Sequence, residues 1–208
     1  MSGSDLNENL LNRAKRNFAE CGFAPDLFLA DFREIGAHMA HKVDCMISTG
    51  NSLPHVDLEG FGAFLQSASE ALGSHGFLFF DIRNWDALAE EKPIIRAMGS
   101  KTADTGERKS LYQLFNWHDN GSVTFSFATS IDQDERHVGM DVISCPAYYP
   151  LRKDDIVERL TRHGYRPLKF VDMDGLWIGR HMRKAKIGDF ERDFPNIQWY
   201  GVLARKAD

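Results

Sequence analysis

The chain has 208 residues, 43% of them hydrophobic and 26% charged, the proportions of one globular domain with a single core. A formal net charge of -5 speaks against nucleic acid or an anionic membrane as the main partner. Cys21, Cys45 and Cys145 are scattered and show no CxxC spacing. With no leader-like segment and no long apolar run, they predict a reducing, cytoplasmic setting rather than a secreted or membrane-spanning one.

Asp5-Leu6-Asn7-Glu8 has the D-x-x-E form of a capping box, with Asp5 closing the start of a helix. Leu10, Leu11, Ala14 and Phe18 then recur at helical spacing, and Gly22 is placed to stop it. Leu27 to Ala30, ending at Asp31, and Val43 to Thr49, bounded by Gly50-Asn51-Ser52, are short apolar strands. Phe61, Leu65, Ala68 and Leu72 mark a helix face that ends at Gly73, and Phe77 to Phe80 form a strand that ends at Asp81. Continuous apolar runs suit strands covered on both faces. The first half therefore reads helix, strand, short helix, strand, helix, strand, which predicts a parallel sheet with crossover helices.

From Lys109 to Tyr149 apolar and polar residues alternate, broken by Asp119-Asn120-Gly121 and Asp132-Gln133-Asp134-Glu135. These turn signals predict an antiparallel excursion of about three strands, an insertion at about 105–149 within one domain spanning 1–208. A helix from about Lys153 to His163 and strands near Tyr165 to Val171 and Ile197 to Ala204 complete the chain, with a polar loop around Asp189 to Pro195. The basic run Arg180, His181, Arg183, Lys184 and Lys186 reads as a solvated loop. His38 and His41 stand three apart, but no third ligand is near and no metal site is expected.

In open α/β sheets, ligands bind at the carboxyl ends of strands, where the topology reverses. Asp5, Asp31, Thr49-Gly50-Asn51-Ser52 and Asp81-Ile82-Arg83-Asn84 all stand beside such ends and are expected to converge on one crevice. Taken singly, each is equally well a cap or loop residue. Arg83 is the sharpest case, because an unpaired guanidinium after a buried strand is costly. A ligand carboxylate would give it a bidentate partner; an internal ion pair with Asp81 or Asp86 is the alternative.

Val43-Asp44-Cys45-Met46-Ile47-Ser48-Thr49-Gly50-Asn51-Ser52-Leu53-Pro54-His55 resembles the fourth strand and following loop of glycine N-methyltransferase relatives. His75-Gly76-Phe77-Leu78-Phe79-Phe80-Asp81-Ile82-Arg83-Asn84-Trp85-Asp86 is similar to their fifth strand, although relatives usually carry two glycines where His75-Gly76 stands. Ala147-Tyr148-Tyr149-Pro150 and Trp199-Tyr200-Gly201-Val202-Leu203 resemble their late strands. The resemblance, to class I S-adenosylmethionine-dependent methyltransferases of the glycine/sarcosine type, covers most of residues 3–205. It is specific in the two central motifs and loose between Pro93 and Asp141.

The resemblance implies a doubly wound, mostly parallel Rossmann-like α/β sheet with an antiparallel β excursion. It implies S-adenosyl-L-methionine as cofactor, no metal, and methyl transfer to the amine of a small molecule such as glycine, sarcosine or a related amino acid. Homo-oligomerisation stays open. Asp5 is matched to the residue that holds the ribose hydroxyls, and Asp31 and Phe32 to those that meet the adenine. Thr49 and Asn51 are matched to the loop that passes the cofactor's methionine part and the acceptor nitrogen, and Gly50 and His55 to cofactor-side positions. Asn51, Arg83 and Tyr149 form the implied catalytic set, with Asn51 accepting from the acceptor amine, and Asn51, Arg83, Tyr148 and Tyr149 the implied acceptor pocket. The residues themselves leave Asp5 equally a helix cap, Phe32 equally core, and His55 equally a loop hydrogen-bonder.

Members of that family place a strand, a Gly-rich turn and a helix ahead of the position matched by Asp5. Here Met1-Ser2-Gly3-Ser4 precede it, and no GxGxxG occurs elsewhere. The expectation is an N-terminally truncated sheet, whose flanking strands stay open, pair directly or meet across a dimer, with reduced or absent activity. A noncatalytic interaction module on the same sheet is the alternative. An NAD-dependent oxidoreductase is disfavoured, since no dinucleotide fingerprint is present.

Overall fold

The computed structural model describes residues 1–174 and 190–207; the basic run from Arg180 to Lys186 and Asp189 lie outside them. The chain opens on β1 (Ser2–Asp5), α1 (Glu8–Glu20) and β2 (Asp26–Leu29). A short α2 (Ile35–His38) leads to β3 (Val43–Ser48), α3 (Leu58–Ala71), β4 (Leu72–Arg83) and α4 (Trp85–Glu91). Then come β5 (Ile95–Thr102), β6 (Glu107–Trp117), β7 (Val123–Gln133) and β8 (Arg136–Ser144). α5 (Lys153–Arg162), β9 (Tyr165–Asp172), α6 (Phe190–Asp193) and β10 (Trp199–Lys206) close it.

β1 pairs with β2 in parallel, and β3 with β4 in parallel. β10 runs antiparallel to β4 on one side and β9 on the other, giving the sheet order β3-β4-β10-β9. This is the mixed α/β architecture expected of alternating strands and helices. Phe61, Phe64, Leu65 and Ala68 of α3 and Ile156 and Leu160 of α5 are buried with Leu78, Phe80 and Ile82 of β4 and Val202 of β10. Burying a side chain of this size contributes roughly 1.5–3 kcal/mol, so this layer is the main source of stability.

The antiparallel excursion is longer than its sequence cues suggest. It has four strands in the order β5-β6-β7-β8 and begins at Ile95. Asp134 and Glu135, with φ of 48° and 64°, make the tight β7–β8 connection, a left-handed pair that matches strand twist. Phe115, Val123 and Phe125 from this meander join the same buried cluster as β4. That packing lays the inner face of the meander against the end of β4.

Several boundaries differ for physical reasons. Asn7, not Asp5, is the N-cap of α1: its Oδ1 accepts from the backbone N–H of Asn9 and Leu10. Asp5 ends β1 instead, and its Oδ1 accepts from the Asn7 N–H at 2.7 Å. β1 has no apolar run and forms because β2 supplies its ladder. The polar stretch before Pro195 carries α6 and a 3-10 turn, Phe194–Asn196. Among the described residues, β1 and β3 share no ladder, so the direct pairing considered above is not adopted. Among those residues, too, no helix is long and apolar enough to cross a membrane, and no three His, Cys, Asp or Glu side chains gather as a metal site.

Candidate functional site

β3 and β4 lie side by side, with Ser48 opposite Phe80, so the segments leaving both strands emerge together. Gly50 and Asn51 both adopt left-handed backbone, with φ of 81° and 59°. The Asp81 carboxylate, 1% exposed, accepts from Gly50 N–H at 2.7 Å and Asn51 N–H at 3.1 Å. In return the Asn51 side-chain oxygen accepts from Arg83 N–H at 3.0 Å and from the Trp85 indole N–H at 3.1 Å. The two strand ends are thereby locked in a reciprocal ring of hydrogen bonds. This corrects the role given to Asn51: both lone pairs of its oxygen are occupied, so it does not accept from an amine. It shapes the site instead.

Arg83 leaves this ring pointing toward the meander. Its Nη2 donates to the side-chain oxygen of Gln113 at 3.1 Å, and its Cζ lies 6.0 Å from the Phe125 ring centroid and 5.6 Å from that of Trp199. Nη1 is fully buried and has no hydrogen-bond partner among the described residues. The ion pair considered from sequence does not form, because Asp81 serves the Gly50 and Asn51 amides and Asp86 accepts from Lys153 N–H at 2.9 Å. Burial pulls the guanidinium's pKa below its ordinary value, and Arg96 adds like-charge repulsion. A half-buried guanidinium with one buried N–H unsatisfied and no carboxylate beside it among the described residues is an arrangement an anionic ligand can complete.

Tyr148 walls the same region. Its ring stacks on Phe125 at 4.7 Å and meets Trp85 at 5.7 Å and His55 at 4.1 Å. Burial pushes its hydroxyl up to about 12, so it stays protonated at neutral pH. His55 is turned to Tyr148; burial lowers its pKa against a raising hydrogen bond at the Ala147 backbone. Tyr149 points elsewhere, as alternate residues of extended chain do. It lines a separate cleft of about 580 Å³ with Trp117, His118, Lys92 and Arg152, a cleft whose walls do not include Asp5, Asn51 or Arg83. Its assignment to the catalytic set and acceptor wall is therefore corrected.

The cofactor-side residues are divided. Asp5 stands at the end of β1 with one carboxylate oxygen bonded to Asn7 N–H and the other open among the described residues. Thr49 is exposed, and no atom lies within 4 Å of where a Cβ on Gly50 would sit. Asp31 does not suit the adenine-side role expected of it, since one oxygen takes Arg33 N–H and Nε and the other Arg33 Nη2. Those bonds hold its carboxyl below the usual range. Phe32 packs edge-on against Phe64 at 5.5 Å, so core packing, not a free ring for a base, is its role. No hydrogen bond, ion pair or ring contact joins Asp5, Asp31 or Phe32 to Asn51 or Arg83 among the described residues.

Three contributors escape a reading of the sequence: Gln113, Trp85 as a partner of Asn51, and the Phe125–Trp199 pair around the guanidinium. Gln113 carries a signal. It is a polar residue two positions from Phe115 on a strand whose alternation turns those positions inward.

No protein-family model matches the sequence, and a search of curated proteins returns no match. Solved structures do match. One is an S-adenosylmethionine-dependent methyltransferase from Clostridium acetobutylicum ATCC 824, 16% identical, covering 99% of this chain and 74% of that one with a TM-score of 0.72. A second is an amino pentose methyltransferase from Micromonospora echinaspora involved in calicheamicin biosynthesis, solved with S-adenosylmethionine bound. It is 11% identical and covers 99% and 73% of the two chains with a TM-score of 0.66. A third is a sugar N-methyltransferase from Streptoalloteichus sp ATCC 53650, 11% identical, covering 100% and 71% with a TM-score of 0.64. The chain therefore has the Rossmann-like fold of the S-adenosylmethionine-dependent methyltransferases.

Proposed function

We propose that the protein transfers a methyl group from S-adenosylmethionine to the amine of a small molecule that bears a carboxylate, glycine, sarcosine or a related amino acid. The observation that carries this reading is the Nη1 of Arg83, buried at the end of β4 beside the Gly50–Asn51 turn and without a hydrogen-bond partner among the described residues. The fold supports it, as do the amine-directed names among its structural neighbours.

On this reading Asp5 and the Thr49–Gly50 backbone hold the cofactor. The open oxygen of Asp5 suits a ribose hydroxyl, since a carboxylate only accepts, and the absence of a side chain at Gly50 lets a ligand approach the chain closely. Asp31 and Phe32 take no part. When bound, S-adenosylmethionine would supply a methyl group on a sulfonium, an electrophile with a neutral thioether as its leaving group, and the acceptor amine would give up its proton to solvent. Arg83 binds the acceptor's carboxylate, the Tyr148 and Phe125 rings exclude water around it, and the Asp81–Asn51 ring keeps Arg83 aimed. Fixed placement of two reactants can contribute on the order of 7–11 kcal/mol.

Calorimetric titration with S-adenosylhomocysteine tests the cofactor half. Saturable binding is expected, weakened about tenfold by Asp5→Asn, the size of one hydrogen bond to a charged group. Absence of saturable binding to the wild-type chain, or an Asp5→Asn affinity equal to it, counts against the assignment.

A further inference from the structure

Among the described residues the charge of Arg83 is uncompensated because of what stands opposite it. Its Nη2 donates at 3.1 Å to Gln113, a neutral amide, and the Asp81 and Asp86 carboxylates that flank it in the chain are bonded elsewhere. Gln113 is 2% exposed and reaches the site from β6, on the meander, while Arg83 comes from β4. The nearby Phe125 and Trp199 rings favour the cation without neutralising it. A carboxylate of the same length at position 113 would pair with the guanidinium as a charge-assisted bond, roughly twice as strong as a neutral one. The amide oxygen can orient one nitrogen and no more.

We infer that Gln113 is a specificity-determining positioning residue, which aims the Arg83 guanidinium and, by being neutral, reserves its charge for an anionic group on the acceptor. The inference rests on the reading of Arg83 as the acceptor's anchor. It adds that selectivity for an anion resides in a residue of the meander and not in Arg83 alone. Glutamate at 113 converts the pocket from one that attracts an anion to one that is already satisfied, with the fold otherwise unchanged.

NMR titration of the full chain with acetate and with its neutral isostere acetamide separates the outcomes. Wild type is expected to prefer acetate at least tenfold. Gln113→Glu is expected to lose that preference by about tenfold or more while acetamide affinity stays the same, a change in ratio that a loosened fold does not produce. Acetate binding by Gln113→Glu within about threefold of wild type overturns the inference and leaves Arg83's role standing. Should Gln113→Glu fail to fold, Gln113→Leu carries the test: acetate affinity falls about fivefold with acetamide unchanged, and an unaltered acetate affinity overturns it. A wild type that does not distinguish acetate from acetamide removes the reading of Arg83 itself.

Discussion

Arg83→Met is expected to lower kcat/KM for a carboxylate-bearing amine at least about 30-fold, leave S-adenosylhomocysteine binding intact, and change folding stability by no more than about 1 kcal/mol. The first magnitude is that of truncating one partner of a buried charge pair, about 2–5 kcal/mol. The change in stability decides between two roles for the residue. In an internal ion pair, removal of one partner would cost about 3–5 kcal/mol. Among the described residues no carboxylate is paired with the guanidinium, and Nη1 is buried without a hydrogen-bond partner there. Methionine removes an uncompensated charge and strands only the Gln113 oxygen, two effects of opposite sign. Steady-state kinetics and urea denaturation on the same preparations measure both. Unchanged kinetics with a stability loss of about 3 kcal/mol or more makes Arg83 structural.

Asn51→Ala is expected to destabilise the chain by about 3–5 kcal/mol, the largest effect on stability that we anticipate. The oxygen removed accepts from two donors, Arg83 N–H and the indole N–H of the fully buried Trp85. Each stranded donor costs about 1–3 kcal/mol. Alanine is also held at a backbone φ of 59°, which adds roughly 1 kcal/mol. Asn51→Gly removes the strain and keeps the stranded donors, so it should recover about 1 kcal/mol of the loss. Urea denaturation of the three proteins resolves both parts. Equal stability of wild type and Asn51→Ala contradicts the hydrogen-bonded ring.

Much of this architecture can be read from residue order. The 3.6-residue period of Phe61, Leu65 and Ala68 and the apolar run Phe77 to Phe80 locate α3 and the centre of β4, and with them the end where Arg83 stands, while Leu72, which continues the period, already opens β4. β1 is not legible, because Ser2-Gly3-Ser4 offers no apolar pattern and the strand exists through its pairing with β2. The end of the meander shows how one residue of phase decides function. Tyr148 and Tyr149 look alike in sequence, but the bridge of Tyr148 to Val123 turns the first ring inward and the second into another cleft. The place of Asn51 is legible and its employment is not, since its partners, Trp85 and the Arg83 amide, are 34 and 32 residues away. Asp31 is nearer to legible: Arg33 two residues on is a local claimant for its carboxylate.

The Arg83 guanidinium, set by the Asp81–Asn51 ring and Gln113 and without a carboxylate partner among the described residues, is held to select an amine by the carboxylate it carries. Transfer of labelled methyl from S-adenosylmethionine to glycine, compared with ethanolamine, tests this claim most directly. The two amines differ in that carboxylate. Label is expected on glycine nitrogen at a rate at least tenfold above that on ethanolamine; equal labelling of the two, or labelling of neither, contradicts the claim.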